Sequence, residues 1–179
     1  MTERAPATER NLDGYGAPPI PWKRVREAAA GDITQAPETG GPDRHTAWLA
    51  TIQPDGRPHV VPVGVFFDGG TLYFTSGRRT RKGRNLARDP RCTITVATHP
   101  FDLVFEGRAD LVTDADELAR VRDTAAAGGW EATVEDGALT AEYSAPSAGP
   151  PPWHVFRVVP ETVFAFGAAE PYGAARFDF

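Results

Sequence analysis

The sequence predicts a mostly β protein, an antiparallel barrel of six to seven strands with helical insertions. Three observations favour this class. Short apolar runs rich in β-branched and aromatic residues follow one another from residue 45 onward, turn residues separate them, and helical patterns occupy only short segments. The 179 residues suffice to bury one substantial core, and the sequence contains no internal repeat. We therefore expect one domain over residues 45–179, preceded by an arm and a short helix over residues 1–44.

The first 44 residues contain one helical signal. Residues 1 to about 20 are polar and rich in glycine and proline, which is typical of a loosely held arm. The run PWKRVREAAA places Pro21 in a favourable first-turn position for a helix, with Trp22 and Val25 as its apolar contacts. Residues 36–44, APETGGPDR, are predicted to form a loop.

Seven extended runs follow this loop. HTAWLATI, PHVVPVGVFF and TLYFTS are the first three predicted strands, and the intervening PDGR and DGG have turn chemistry. CTITVAT and FDLVFEGRADLV are the fourth and fifth strands. WHVFRVVP and TVFAFG complete the set as the sixth and seventh.

Two helices are predicted among these strands. One begins near Thr80 and stops before Pro90. The other follows an N-cap at Thr113 and has acidic residues in its first turn. Its apolar positions at helical spacing are Leu118, Val121 and Ala125. Residues 131–152 are predicted to be a long connection.

A basic segment is the most distinctive feature of the chain. Seven of the fourteen residues from Arg78 to Arg91 are Arg or Lys, although the formal net charge is −5. The hydroxyls of Thr75 and Ser76, the small Gly77 and a helix beginning at Thr80 would together suit an anion such as a phosphate. Runs of charge are more often solvated helix faces. The residues alone leave these two interpretations level.

Composition argues against several other classes. The 24 acidic against 19 basic residues disfavour a nucleic-acid binder. The single cysteine, Cys92, excludes an intrachain disulfide and fits a reducing compartment. No window approaches the roughly 20 apolar residues of a membrane span, and the N-terminus lacks the apolar core of a secretion signal. The expected location is the cytoplasm, and neither a membrane nor a nucleic acid is an expected partner.

Familiar catalytic motifs are missing from the sequence. The four histidines have no metal-ligand spacing, so no metal site is expected. The serines lack a G-x-S-x-G elbow, and there is no G-x-G-x-x-G. His59, beside Arg57 at the start of the second predicted strand, is the most interesting histidine, although an exposed turn histidine is the commoner case. The catalytic residues therefore remain unknown.

The order of these features resembles the pyridoxamine 5′-phosphate oxidase-like, FMN-binding split β-barrel family of flavin and deazaflavin oxidoreductases, in its actinobacterial form. The resemblance is carried by WLATIQPDGRPHVVPVGVFFDGGTLYFTSGRRTRKGRNLARDPRCTITVAT, by FDLVFEGRADLVTDADEL and by the C-terminal ARFDF. It covers residues 45 to 179. The family implies a Greek-key-like split β-barrel, a homodimer, and a flavin held at the subunit interface.

The resemblance also implies a set of cofactor contacts. These are Arg57, His59, Val60, Val61, Pro62, Thr75, Ser76, Thr80, Arg81, Lys82, Trp153 and Arg176. Residues 59–62 would border the flavin ring system, and Thr75 and Ser76 would meet its ribityl–phosphate region. Arg81 and Lys82 would bind the phosphate.

Two positions depart from the pattern of oxidases that act on pyridoxamine phosphate. Pro62-Val63 stands where those oxidases have a lysine, and Arg176-Phe177-Asp178 replaces their Arg-x-His element. Both changes remove groups that would hold a substrate phosphate, which argues against vitamin B6 oxidation. Trp153 and Arg176 are also the residues implied to reach the cofactor of the partner subunit.

The implied function is hydride transfer to or from a small organic substrate, with FMN or the deazaflavin coenzyme F-420 as cofactor. The alternative is a non-catalytic flavin- or haem-binding protein with a storage, sensing or protective role. The sequence leaves the choice among FMN, F-420 and haem open, and it does not name the substrate.

Overall fold

The computed structural model of the chain describes residues 4–32, 46–145 and 148–179. The strands are β1 (Thr8–Asn11), β2 (Ala47–Ile52), β3 (Pro58–Val63), β4 (Val65–Asp68), β5 (Thr71–Ser76), β6 (Arg91–Ala97), β7 (Phe101–Leu111), β8 (Thr133–Glu135), β9 (Ala138–Thr140), β10 (His154–Gly167) and β11 (Ala174–Asp178). The helices are α1 (Trp22–Asp32), α2 (Arg81–Arg88) and α3 (Ala115–Ala127). The predicted mostly β class is confirmed. The predicted loop at 36–44 and the proposed boundary at residue 44 lie outside the described residues.

One antiparallel sheet of nine strands forms the barrel. Its order is β1-β11-β10-β7-β6-β2-β3, with β5 also pairing β10 and β4 pairing β5. The long strand β10 joins the two parts of the fold, because its first half pairs with β5 and its second half with β11. Its register to β7 shifts between Pro160 and Thr162. The sixth and seventh predicted strands are therefore two halves of one strand, interrupted by a bulge at a proline.

The second predicted strand, in contrast, is two strands. The chain changes pairing partner at Gly64: β3 pairs with β2, whereas β4 pairs with β5. The residues expected to form a loose arm also contain a strand, since β1 pairs with β11 along the edge of the sheet. All four residues of β1 are exposed, so its backbone pairing, and no apolar face, holds it in place.

The predicted long connection contains a hairpin. Strands β8 and β9 pair across Asp136 and Gly137, which adopt φ angles of 48° and 74°. Positive φ at both central residues is typical of a two-residue hairpin turn, for which Asp-Gly is a preferred sequence. The segment between α3 and β10 is therefore partly ordered by its own backbone pairing.

Helix α3 begins one residue later than predicted. Its N-cap is Asp114, whose carboxylate accepts a hydrogen bond of 2.8 Å from the Glu117 amide; the Thr113 assignment is wrong. A carboxylate at this position also complements the positive end of the helix dipole. The predicted apolar stripe is confirmed as buried and consists of Leu118, Val121 and Ala125.

Two apolar clusters stabilise the fold. The larger cluster fills the barrel and includes the predicted helix contacts Trp22 and Val25, which are 6% and 0% exposed. The smaller cluster lies under α3, where Leu118 and Val121 pack with Leu139 of β9. No helix in the described ranges is long and apolar enough to cross a membrane.

Candidate functional site

The loop between β5 and α2 is shaped by hydroxyl groups. Thr80 has an extended backbone and caps α2: its Oγ1 accepts a hydrogen bond of 3.1 Å from the Gly83 amide and donates one of 2.8 Å to the Gly77 carbonyl. Ser76 Oγ lies 2.9 Å from Thr80 Oγ1. The predicted helix start near Thr80 is confirmed. Both hydroxyls form hydrogen bonds within the loop itself, so they fix its conformation.

Gly83 allows the loop to pack tightly on the helix. A Cβ at this position would lie 2.6 Å from the Gly77 carbonyl oxygen and 2.8 Å from that of Arg78. Neither distance is possible for a real methyl group, and both partners are backbone atoms. The first turn of α2 and the preceding loop therefore form one unit whose geometry requires glycine.

Positive charge is concentrated at the N-terminus of α2. Arg81 and Lys82 are the first two helical residues, and the first turn has no acidic residue. The helix dipole and the free amides of a first turn are also positive, so cations at these positions are unfavourable for the helix. Arg81 Nη1 donates a hydrogen bond of 3.2 Å to Gln53 Oε1, and neither cation has an ion-pair partner in the described part of the chain.

His59 of β3 joins this cationic group. Its Nδ1 is buried and has no hydrogen-bond partner among the described residues. Burial, followed by the positive charges of Arg81 and Lys82, lowers the pKa of His59. Burial also lowers the pKa of Lys82. The arrangement is a cluster of three nitrogen-bearing side chains whose charge nothing nearby neutralises.

The other predicted residues of β3 and its turn have different surroundings. Val61 faces the core, whereas Val60 and Pro62 are exposed on the outer side of the sheet. Arg57 forms an exposed ion pair of 2.6 Å with Asp55 across the β2–β3 turn. That pair holds Arg57 Nε at the turn, away from the core.

Trp153 and Arg176 are the remaining predicted contacts. Trp153 is 3% exposed, packs 5.9 Å from the Trp130 ring, and donates its indole N–H to the Gly149 carbonyl. Arg176 pairs with Asp178 at 2.7 Å. Its guanidinium lies over the Phe164 ring, on strands that β10 separates from β5. Neither residue is brought to the His59–Lys82 cluster within this protomer.

A cavity of about 680 Å³ adjoins the cationic cluster. The predicted residues Pro62, Thr75 and Lys82 line it on one side. Opposite them lie Phe66, Trp130 and Tyr143, which the sequence did not indicate as site residues. Trp130 was expected in the core, and nothing local in the sequence distinguishes Tyr143. These side chains reach the cavity through the packing of α3 and the β8–β9 hairpin against the barrel.

The outer face of the sheet is apolar next to this cavity. Trp48 of β2 lies directly opposite Pro62 of β3 in the antiparallel register. Trp48, Val60 and Phe166 are 46%, 54% and 42% exposed. Large apolar side chains are seldom left this exposed on a lone barrel, and an apolar face of this kind is typical of an interaction surface.

The family model for pyridoxamine 5′-phosphate oxidase matches residues 33–167. A pyridoxine/pyridoxamine 5′-phosphate oxidase from Myxococcus xanthus (strain DK1622) is 30% identical over 172 residues, covering 86% of this chain and 82% of its own. The chain therefore belongs to the pyridoxamine 5′-phosphate oxidase-like family, as its motif order predicts.

Solved structures share the fold at lower identity. A conserved hypothetical protein from Mycobacterium tuberculosis has a TM-score of 0.59 and 18% identity, over 87% of this chain and 90% of that chain. A heme binding protein from Mycobacterium smegmatis has a TM-score of 0.54 and 20% identity, over 83% of this chain and 55% of that chain. Within one fold, therefore, function has to be argued from the site.

Proposed function

We propose that this protein is a flavin-dependent oxidoreductase whose cofactor, FMN or the deazaflavin coenzyme F-420, binds by its phosphate at Arg81 and Lys82. The observation that carries the proposal is the uncompensated charge at the N-terminus of α2. Two adjacent cations lie at the positive end of a helix, next to a histidine with an unpaired buried nitrogen.

The energetics of this arrangement favour an anionic ligand. A cation in the first turn of a helix costs about 0.3–1 kcal/mol, and an anion at the same place is stabilised by a similar amount. A phosphate would reverse both contributions and would also meet the free amides of the first turn. Membership in the pyridoxamine 5′-phosphate oxidase-like family supports assigning that phosphate to a flavin.

The residues of this chain would divide the work of binding. Arg81 and Lys82 would hold the phosphate, while Ser76 and Thr80 fix the loop that presents them. Residues 59–62 of β3 would border the ring system, with Thr75 between ring and phosphate. When bound, a flavin or deazaflavin supplies the hydride chemistry, and the protein supplies position and electrostatics.

The proposal does not extend to pyridoxamine phosphate as substrate. Pro62 offers no positive charge for a second phosphate. Arg176 is occupied by its ion pair with Asp178, which also accepts a hydrogen bond from Thr162. A small organic substrate without a phosphate group suits the cavity better.

We also propose that a second copy of the chain covers the outer face of the sheet. Trp48 and Val60 would be buried there, and Pro62 would connect this interface to the cavity, because it lies on the face and also lines the cavity. Sedimentation at micromolar concentration should give a dimer. Trp48→Lys should give a monomer, whereas a wild-type protein that sediments only as a monomer would contradict an interface site.

Titration with three candidate cofactors tests the function. FMN, F-420 and haem are added separately to the purified protein while absorption is recorded, and we expect saturable binding of FMN or F-420. Binding of none would remove the cofactor proposal. Binding of haem alone, without flavin, would favour the non-catalytic alternative.

A pair of double variants tests the phosphate contacts. Arg81→Ala with Lys82→Ala should weaken cofactor binding by about 10²–10⁴-fold, since each charge-assisted contact is worth roughly 1.5–3 kcal/mol. Arg84→Ala with Arg88→Ala removes the same charge from the same helix. This control should weaken binding less than about 5-fold, as expected for charges screened by solvent. Equal losses in the two variants would show that only overall charge matters.

A further inference from the structure

The cavity beside Lys82 has a wall built by residues outside the phosphate loop. Thr75 and Lys82 lie on one side, and Phe66, Trp130 and Tyr143 on the other. Its volume of about 680 Å³ falls within the roughly 300–1,000 Å³ of small-molecule sites. The cavity therefore has room for a ligand of its own.

The aromatic wall offers carbon surface and no free donor. Trp130 Nε1 donates a hydrogen bond of 2.9 Å to the Tyr143 carbonyl, and the Tyr143 hydroxyl donates one of 3.2 Å to the Gly129 carbonyl. The Phe66 and Trp130 rings are parallel within 8°, with centroids 6.0 Å apart. Because both polar hydrogens are used within the wall, its rings are fixed and contribute mainly van der Waals and stacking contacts.

The remaining lining carries little charge. Lys82 is the only formally charged residue among the described residues that line the cavity. Thr75, Thr124 and Ser144 supply hydroxyl groups there. With Lys82 assigned to a cofactor phosphate, a charged ligand would be buried without a partner, at a cost of several kcal/mol. Neutral hydrogen-bonding groups would still find partners.

We propose that this cavity binds a neutral, flat aromatic molecule. Its ring would pack on Phe66 and Trp130, and its hydroxyl or carbonyl groups would bond to the hydroxyls of Thr124 or Ser144. The proposal rests on the function proposed above, in which Lys82 is occupied by the cofactor. It identifies Trp130, on the segment that follows α3, as the residue that determines specificity.

Two probes with the same ring test the charge preference. Naphthalene-2-carboxamide is neutral and 2-naphthoate is anionic, and each is titrated calorimetrically into FMN-saturated protein. The carboxamide should bind at least 10-fold more tightly. Equal or tighter binding of 2-naphthoate would overturn the proposal, because it would show that Lys82 or another cation serves the ligand.

Variants of the wall test the aromatic contact. Trp130→Leu should weaken carboxamide binding at least 5-fold, and Trp130→Phe should retain most of it, with FMN affinity unchanged in both. Tyr172→Leu alters an aromatic residue that is 58% exposed in the β10–β11 loop and should change nothing. If Trp130→Leu does not fold, Ser144→Phe should block the probe by filling the cavity. Unchanged carboxamide binding in a folded cavity variant would overturn the proposal.

The same titrations without FMN separate this proposal from the one on which it rests. If FMN fails to bind but carboxamide binding still depends on Trp130, the cofactor proposal is wrong and the aromatic cavity stands. If FMN binds and the carboxamide is indifferent to Trp130, the reverse holds.

Discussion

The Tyr73 hydroxyl donates a hydrogen bond of 3.0 Å to Oε1 of Glu117, joining the barrel strand β5 to helix α3. Arg157 of β10 donates to the same carboxylate at 3.2 Å. Glu117 is only 6% exposed. This network fixes α3 against the barrel, and α3 in turn carries the segment that forms the aromatic wall of the cavity.

Glu117→Ala should destabilise the fold by about 2–3 kcal/mol. This is below the roughly 3–5 kcal/mol for breaking a fully buried pair, because the Arg157 side chain is 38% exposed. The free energy of unfolding in urea measures the change. Asp110→Ala removes the longer, exposed contact of Arg157 at 3.8 Å and should cost no more than about 1 kcal/mol. Equal losses in the two variants would show that the network is not coupled to α3.

Tyr73 makes stability depend on alkaline pH. Burial, and then the hydrogen bond and negative charge of Glu117, raise the pKa of Tyr73 above its ordinary value of 10.0. The folded state therefore keeps a proton that the unfolded state loses, so the contribution is complete below pH 10 and declines above it. We expect up to about 1.4 kcal/mol lost per pH unit in that range. Tyr73→Phe should flatten this part of a urea-unfolding profile; an unchanged slope would contradict the assignment.

Gly83→Ala should disrupt the loop that presents Arg81 and Lys82. The added methyl would overlap two backbone carbonyls, so the loop has to move, and we expect a loss of about 1–3 kcal/mol together with weaker FMN binding. Gly31→Ala is the matched control in helix α1, where nothing lies within 4 Å of the added Cβ. It should raise stability slightly, by about 0.4–1 kcal/mol. Thermal unfolding with and without FMN compares the two variants.

The barrel strands were predictable because each is a short apolar run bordered by glycine or proline, as in β5 and β6. The division at Gly64 and the merging at Pro160 were not, since a change of pairing partner and a bulge depend on neighbouring strands. Strand β1 has no apolar residue, so no periodicity could indicate it. The Asp136-Gly137 turn was a readable hairpin signal between strands too short to attract notice.

The candidate site divides in the same way. The basic segment, its hydroxyls and the helix start at Thr80 are contiguous in sequence, so the phosphate loop was predictable. The roles of Ser76 and Thr80 in hydrogen bonds within the loop depend on how the loop folds. The wall formed by Trp130 and Tyr143 was not predictable, because it arises from packing between distant segments. The buried, unpaired nitrogen of His59 likewise appears only in three dimensions.

Cys92 should be unreactive in the folded protein. It is 7% exposed, and burial raises the pKa of its thiol to about 12. Because the thiolate is the reactive form, almost none is present at pH 8. An aromatic disulfide reagent should label the protein only after unfolding in urea. Rapid labelling under native conditions would mean that strand β6 opens readily.

His59 should make anion binding depend on pH. In the free protein its pKa is lowered, so the unfolded chain takes up a proton first and the free protein loses stability as pH falls below about 6.5. A bound anion offsets the charges of Arg81 and Lys82 and so raises the pKa of His59, which means that protonation and anion binding favour each other. Sulfate remains divalent throughout this range and is a suitable probe.

We expect sulfate to bind about 3–10-fold more tightly at pH 5.5 than at pH 8, as judged by the rise in melting temperature with sulfate concentration. His59→Gln should bind sulfate with little dependence on pH, because its side chain does not titrate. His154→Gln is the matched control: its Nδ1 is also buried and unpaired, but its positive neighbour is Arg78. It should retain the pH dependence of the wild type. If both variants lose it, the effect belongs to the whole basic loop rather than to His59.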